Sequence, residues 1–228
     1  MNALNRPLLM MALPNSGSTW LAQVLARHLP DCYYYDMEFF NPLHNERHEG
    51  VLKRQFGCEL AGCFRNIVAP GDASIDEDIA LTWGLEPYTF TKEVFSPFKL
   101  PAFARHFRCF VLLRPVQQSF PPSRLRIWSF YEHAWHALVA AGYALRAETV
   151  RARAMEAHAV LAARMLEDAD RLGVPVLRYA ELFADDEALA ESLRRAVGFC
   201  STALVADIAA TRRQLKAAVR QSEQRACA

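Results

Sequence analysis

Residues 7–30 read PLLMMALPNSGSTWLAQVLARHLP. The apolar run at 8–13 stops at Pro14, and a small polar turn follows, Asn15-Ser16-Gly17-Ser18-Thr19. From Trp20 the apolar spacing changes, with Trp20, Leu21, Val24, Leu25, His28 and Leu29 marking one face of a buried helix. The stretch therefore reads strand, tight loop, helix. Such a loop aims successive backbone N–H groups and the positive end of a helix dipole at one spot, which attracts phosphate. Small residues let a phosphate approach the backbone, and Ser16, Ser18 and Thr19 add hydroxyl donors.

The strand–loop–helix motif that binds nucleoside triphosphates has the form GxxxxGK[ST]. Ala12, Gly17, Ser18 and Thr19 fall on its four named positions. The lysine that reaches the β/γ-phosphates is replaced by Ser18, so the loop suits a phosphate ester better than triphosphate cleavage.

The rest of the chain is consistent with one α/β domain. Its 228 residues can bury a sizeable core, and 52% hydrophobic against 22% charged residues is a globular balance. A net charge of +1 gives no global field for nucleic acid. No run is long enough to span a membrane, and the apolar run at 8–13 is too short for a signal peptide. The expectation is a cytoplasmic protein whose six cysteines are reduced. Strands are expected at 32–36, 88–92, 107–113 and 174–178, and helices at 100–106, 123–143, 147–172, 186–197 and 204–223. Residues 76–83 read as a short helix, and about 41–85 as a lid or substrate insert. Alternating strands and helices imply a mostly parallel sheet covered on both faces, with ligands at the carboxyl ends of its strands. Those ends are 15–19, 36–40, 92–96 and 114–123.

Each end carries chemistry. Arg114 leaves the strand at 107–113, and Ser123 opens the following helix nine residues later; an arginine fork and a helix-capping hydroxyl can clamp a phosphate, with Ser119 as the rival hydroxyl. Asp36 and Glu38 are strand-exit carboxylates placed to accept a proton. Lys92 ends its strand as a cation able to neutralise developing charge. His44, His48, Cys58 and Cys63 have a spacing at the edge of that of zinc sites, but buried thiols and surface histidines are the better reading, and no metal is expected.

PNSGSTWL resembles the 5′-phosphosulfate loop of sulfotransferases that use 3′-phosphoadenosine 5′-phosphosulfate (PAPS), whose usual form is PKSGTTWL. Pro14, Ser16, Gly17, Thr19, Trp20 and Leu21 match it, and Asn15 stands in place of the lysine. Arg114, Pro115 and Ser123-Arg124-Leu125 resemble pieces of the family's 3′-phosphate segment. Asp36-Met37-Glu38-Phe39-Phe40 resembles the EVHFF catalytic loop of the glycan-type members, with Asp36 on the carboxylate and Glu38 on the histidine. Lys92 stands where the family commonly has a lysine at the reacting centre, and Leu177–Leu182 is similar to its YEDL segment. The late Gly-rich adenosine loop has no counterpart here.

The resemblance implies a three-layer P-loop-NTPase-like α/β fold and nucleotide binding by Asn15, Ser16, Gly17, Ser18, Thr19, Trp20, Arg114 and Ser123. It implies catalysis by Asp36, Glu38 and Lys92, with PAPS as sulfuryl donor and adenosine 3′,5′-bisphosphate as product. The acceptor would be a small molecule or glycan, without nucleic acid or membrane as partner. The alternatives are a P-loop-type nucleotide phosphotransferase and a catalytically inactive nucleotide-binding homologue.

Overall fold

The computed structural model describes residues 6–36, 87–94, 96–119 and 125–226. Glu38, Ser123, the zinc-spaced His44, His48, Cys58 and Cys63, the helix expected at 76–83 and the insert at 41–85 lie outside them.

Among the described residues five strands form one sheet, all parallel: β1 (Leu8–Ala12), β2 (Tyr34–Tyr35), β3 (Phe90–Glu93), β4 (Arg108–Leu113) and β5 (Val176–Arg178). Their spatial order is β2-β3-β1-β4-β5. β1 is central and wholly buried, as its unbroken apolar sequence LLMMA requires of a strand covered on both faces. Among the described residues the α-helices are α1 (Ser18–His28), α2 (Leu100–His106), α3 (Val116–Ser119), α4 (Leu125–Ala140), α5 (Val150–Leu172), α6 (Asp186–Val197) and α7 (Thr202–Ala226).

The period-2 alternation of β1 and β4 divides the core in two. Leu9, Met11, Cys109 and Val111 pack with Phe103 of α2, Tyr131 and Leu138 of α4, and Leu161 and Met165 of α5. Leu8, Met10, Ala12, Phe110 and Leu112 pack on the other side with Leu21 and Leu25 of α1, Leu189 and Leu193 of α6, and Ile208 of α7. The described residues thus form helix, sheet and helix layers. Among them no helix is long and apolar enough to cross a membrane, and Cys32, Cys109 and Cys200 are free thiols.

Element boundaries follow local caps. α5 starts at Val150, later than the expected 147, because the Thr149 side chain accepts the Ala152 N–H. It ends at Gly173, whose φ of 67° places it in the left-handed region favoured by glycine. α4 stops at Ala140, short of the expected 143, because Gly142 turns the backbone at φ 93° and the Tyr143 N–H returns to the Leu138 carbonyl. α6 keeps its expected bounds between the Asp185 cap and Gly198. α3 and a short 3-10 turn at Tyr179–Phe183 were not expected as separate elements.

The topology marks one crevice. From β1 the chain passes through α1 to the β2 edge, whereas from β4 it passes to β5 at the opposite edge. β1 and β4 are neighbours, so their exits diverge and leave a gap above their carboxyl ends, where open parallel sheets bind ligands.

Candidate functional site

The loop from Leu13 to Gly17 fills the edge of that gap, and its carbonyls are held inward. Leu13 O accepts from the Ser16 N–H at 3.2 Å. Pro14 O accepts from the Tyr131 hydroxyl at 3.0 Å, and Asn15 O from an Arg114 terminal nitrogen at 3.1 Å. Tyr131 is fully buried on α4, and that burial holds its phenol well above its ordinary pKa, so it stays a neutral donor. Two loop residues are left-handed, Asn15 at φ 66° and Gly17 at φ 84°. Asparagine tolerates that conformation, and its side-chain amide donates to the Ser119 carbonyl at the end of α3. Asn15 therefore joins the β1 and β4 exits.

Other donors around the loop are not used within the described residues. No side-chain cap closes the N-terminus of α1, an 11-residue helix that begins at Ser18 just after Gly17. Its first N–H groups have no partner within the helix. Ser16 Oγ and Arg114 Nε are buried and find no hydrogen-bond partner among the described residues. An unsatisfied buried polar group costs about 1–3 kcal/mol, so finding two such donors beside an uncapped helix start points to an anion. Ser96, fully buried just past β3, has a further hydroxyl without a partner among the described residues. Ser96 lies in the strand end at 92–96 singled out from the sequence, where only Lys92 was given a role.

Arg114 is placed by an aromatic platform. Its guanidinium carbon lies 4.4 Å from the centroid of the Tyr179 ring. The same ring crowds the loop: a Cβ added to Gly17 would come 3.2 Å from Tyr179 Cε2. Tyr179 follows β5, and the adjacent Glu181 anchors the turn. Glu181 accepts from the Arg178 N–H at 2.5 Å, the Ser192 hydroxyl at 2.9 Å and Arg195 at 2.5 Å. Partial burial pushes the Glu181 carboxyl up, but these donors outweigh it and its pKa lies below the ordinary value. Tyr179 was read in the sequence as a fold marker, and the β5 exit was not among the strand ends singled out. The usable signal was its position, an aromatic at the carboxyl end of a parallel strand.

On the other side of β1, Lys92 Nζ lies 3.0 Å from Asp36 Oδ1. The Lys92 side chain is 1% exposed and that of Asp36 45%, so a buried ammonium meets a carboxylate open to solvent. The pair sets a fixed positive charge beside a proton acceptor at the carboxyl ends of two adjacent strands.

The remaining expected residues are placed as follows. Ser18 is buried in the first turn of α1, Thr19 is exposed beside it, and Trp20 packs half-buried against the α1-side core. The Ser119 hydroxyl donates to its own helix at Pro115 O, 3.1 Å away, which ties up its proton and weakens its rivalry with Ser123. Outside the expected set, Arg212 donates to Ala184 O and lies 2.8 Å from Asp186, bracing α7 against the start of α6. Among the described residues no cluster of His, Cys, Asp and Glu could hold a metal ion.

No protein-family model matches this chain, and no curated protein matches it.

Proposed function

We propose that the protein is a PAPS-dependent sulfotransferase with a P-loop-like nucleotide site. The reading rests chiefly on one observation: the unpartnered Ser16 Oγ and Arg114 Nε lie beside the uncapped start of α1, at the β1/β4 crevice. That group of donors matches an anionic ester, and the loop that carries it resembles the family's phosphosulfate loop. The 5′-phosphosulfate binds along residues 15–19, and Arg114 with Ser123 takes the 3′-phosphate. Asp36 or Glu38 accepts the proton of an acceptor hydroxyl or amine. The acceptor atom attacks sulfur in line as the bond from sulfur to the bridging phosphate oxygen breaks. The sulfated acceptor and adenosine 3′,5′-bisphosphate leave. Lys92, already a buried cation beside Asp36, takes up charge that grows on the transferring and leaving oxygens.

A phosphotransferase reading is disfavoured by Ser18 in the lysine position and by Arg114, not an acid, at the β4 exit. The inactive-homologue reading draws on Asn15, whose amide is engaged with Ser119 where the family has a cation.

Transfer of radiolabelled sulfate from PAPS to pools of phenols, sugars, amines and sterols tests the proposal. Label should reach one pool with the native protein and not with Asp36→Asn or Lys92→Met. Failure to label any pool, with the native protein folded and bisphosphate-bound, favours the inactive homologue.

A further inference from the structure

After β3 the chain crosses from one layer of the core to the other over the carboxyl end of the sheet. Val94, just past the strand, packs in the α1-side core, and Phe98 packs in the core on the opposite side. Ser96 lies midway in that crossing and is fully buried. Its carbonyl accepts the Lys99 N–H at 2.9 Å, closing the 3-10 turn at Pro97–Lys99. A serine before a helical turn ordinarily caps it with its side chain, but Ser96 makes no such bond. Its hydroxyl has no partner among the described residues. A buried hydroxyl left in that state works against folding, so a polar group that would satisfy it has to be sought.

The register of the sheet sets Ser96 beside the anion loop. Met11 of β1 pairs with Glu93 of β3, and Ala12 pairs with Leu112 of β4. Counted onward from these pairs, Pro14 comes level with Ser96 on the β3 side and with Arg114 on the β4 side. The loop that starts at Leu13 therefore runs out between two strand exits, each with a donor that the described residues leave unused, Ser96 Oγ and Arg114 Nε. The two exits differ in their other chemistry. The β4 exit carries the guanidinium assigned to the nucleotide. The β3 exit carries Lys92, a buried cation 3.0 Å from the Asp36 carboxylate, and both of these are assigned to the transfer.

We propose that Ser96 donates its hydroxyl hydrogen to an oxygen of the transferring sulfuryl group, an inference that rests on the sulfotransferase reading and deepens it. In-line transfer sets the acceptor atom, the sulfur and the bridging oxygen on one line. The proton acceptor stands at the acceptor end of that line, so the sulfuryl group faces the Asp36 side of the loop, the side on which Ser96 lies. The bond from the acceptor atom to sulfur forms as the bond from sulfur to the bridging oxygen breaks. The acceptor's proton passes to Asp36 or Glu38, and Ser96 keeps its own. A donor fixed in a water-excluded place needs no reorganisation as charge shifts over the sulfuryl oxygens. It also supplements Lys92 without burying a second charge.

PAPS and adenosine 3′,5′-bisphosphate differ by the sulfuryl group alone, so calorimetric titration of both, without acceptor, isolates the contact. Ser96→Ala should bind PAPS about tenfold more weakly than the native protein, the scale for a hydrogen bond to a charged group. It should bind the bisphosphate with native affinity. Ser96→Cys keeps nearly the same volume but offers only a weak S–H donor, so it should follow the alanine variant. Without ligand, the Tm of Ser96→Ala should equal or exceed the native value, because the lost hydroxyl has no partner among the described residues. Native binding of both ligands with unchanged PAPS affinity in Ser96→Ala overturns this proposal and leaves the sulfotransferase reading standing. Equal loss of PAPS and bisphosphate affinity, native PAPS affinity in Ser96→Cys, or a lowered Tm in the unliganded alanine variant would assign Ser96 a structural role and overturns it as well. Binding of neither ligand by the native protein overturns the reading and this proposal together.

Discussion

Lys92 Nζ and Asp36 Oδ1 stand 3.0 Å apart, one nearly inaccessible and the other open to solvent. This asymmetry gives the pair different tolerances to mutation. Removing Lys92 leaves a carboxylate that water can solvate, whereas removing Asp36 takes a partner from a buried ammonium. Lys92→Met should therefore fold, at a stability cost of about 1 kcal/mol or less for the lost half-exposed pair. Sulfate transfer should fall about 100- to 1,000-fold, the scale for loss of a preorganised charge-stabilising donor. Single-turnover kinetics with bound PAPS would read that loss in the transfer step, with bisphosphate affinity changed far less.

Arg114 is held by a ring face as well as by a hydrogen bond, so charge alone should not replace it. Arg114→Lys keeps the charge but loses the planar stack on Tyr179 and the fork that leaves Nε free. Affinity for adenosine 3′,5′-bisphosphate should drop about tenfold, close to 1.4 kcal/mol. Tyr179→Leu should produce part of the same loss without touching any charge. Calorimetric titration of both variants checks this.

Gly17 carries two separate constraints, a φ of 84° and the Tyr179 ring 3.2 Å from a prospective Cβ. Gly17→Ala should cost about 1–2 kcal/mol from the left-handed backbone alone, and more from the crowding. Adding Tyr179→Leu should recover the crowding part and leave the backbone part. Urea unfolding of the two single variants and the double variant measures the coupling.

The sheet was largely legible because its strands are near-continuous apolar runs. Residues 8–13 and 107–113 correspond to β1 and β4 with one-residue differences. The alternation of strands with helices carried the parallel arrangement, and all five described strands are parallel. Helix ends were less legible where a cap is a side chain or a glycine turn, as at Thr149 and Gly142. The role of Asn15 was hidden for a different reason. In sequence it reads as a lost cation; in the structure its amide reaches a carbonyl 104 residues away, and its backbone takes a conformation that asparagine tolerates. Tyr179 was equally obscured, since a strand-exit aromatic looks like core until the ring is found between Gly17 and Arg114. Lys92 and Asp36 were both legible as strand ends, but not as partners.

His158 predicts the acid response of the core. It is buried on α5 against Tyr131, ring centroids 5.3 Å apart, and burial pushes its pKa down to about 4. The unfolded chain binds this proton near pH 6.5, so the neutral folded form contributes its stability above that pH. The contribution is lost as pH falls from about 6.5 toward 4, and amounts to about 3 kcal/mol at full protonation. Thermal unfolding at successive pH values should show this slope in the native protein and a flatter one in His158→Phe. Because Tyr131 also holds the Pro14 carbonyl, nucleotide affinity should weaken only as pH falls through about 4, where His158 of the folded protein takes up its proton.

The most direct measurement is the thermal stabilisation of the native protein by adenosine 3′,5′-bisphosphate compared with ATP–Mg²⁺. A ligand at a hundredfold excess over its Kd adds about 2.7 kcal/mol to the folded state. A saturable rise in Tm with the bisphosphate, absent with ATP–Mg²⁺ and reduced in Arg114→Lys, is the predicted result. No rise with the bisphosphate, or a rise with ATP–Mg²⁺ alone, would contradict the PAPS site.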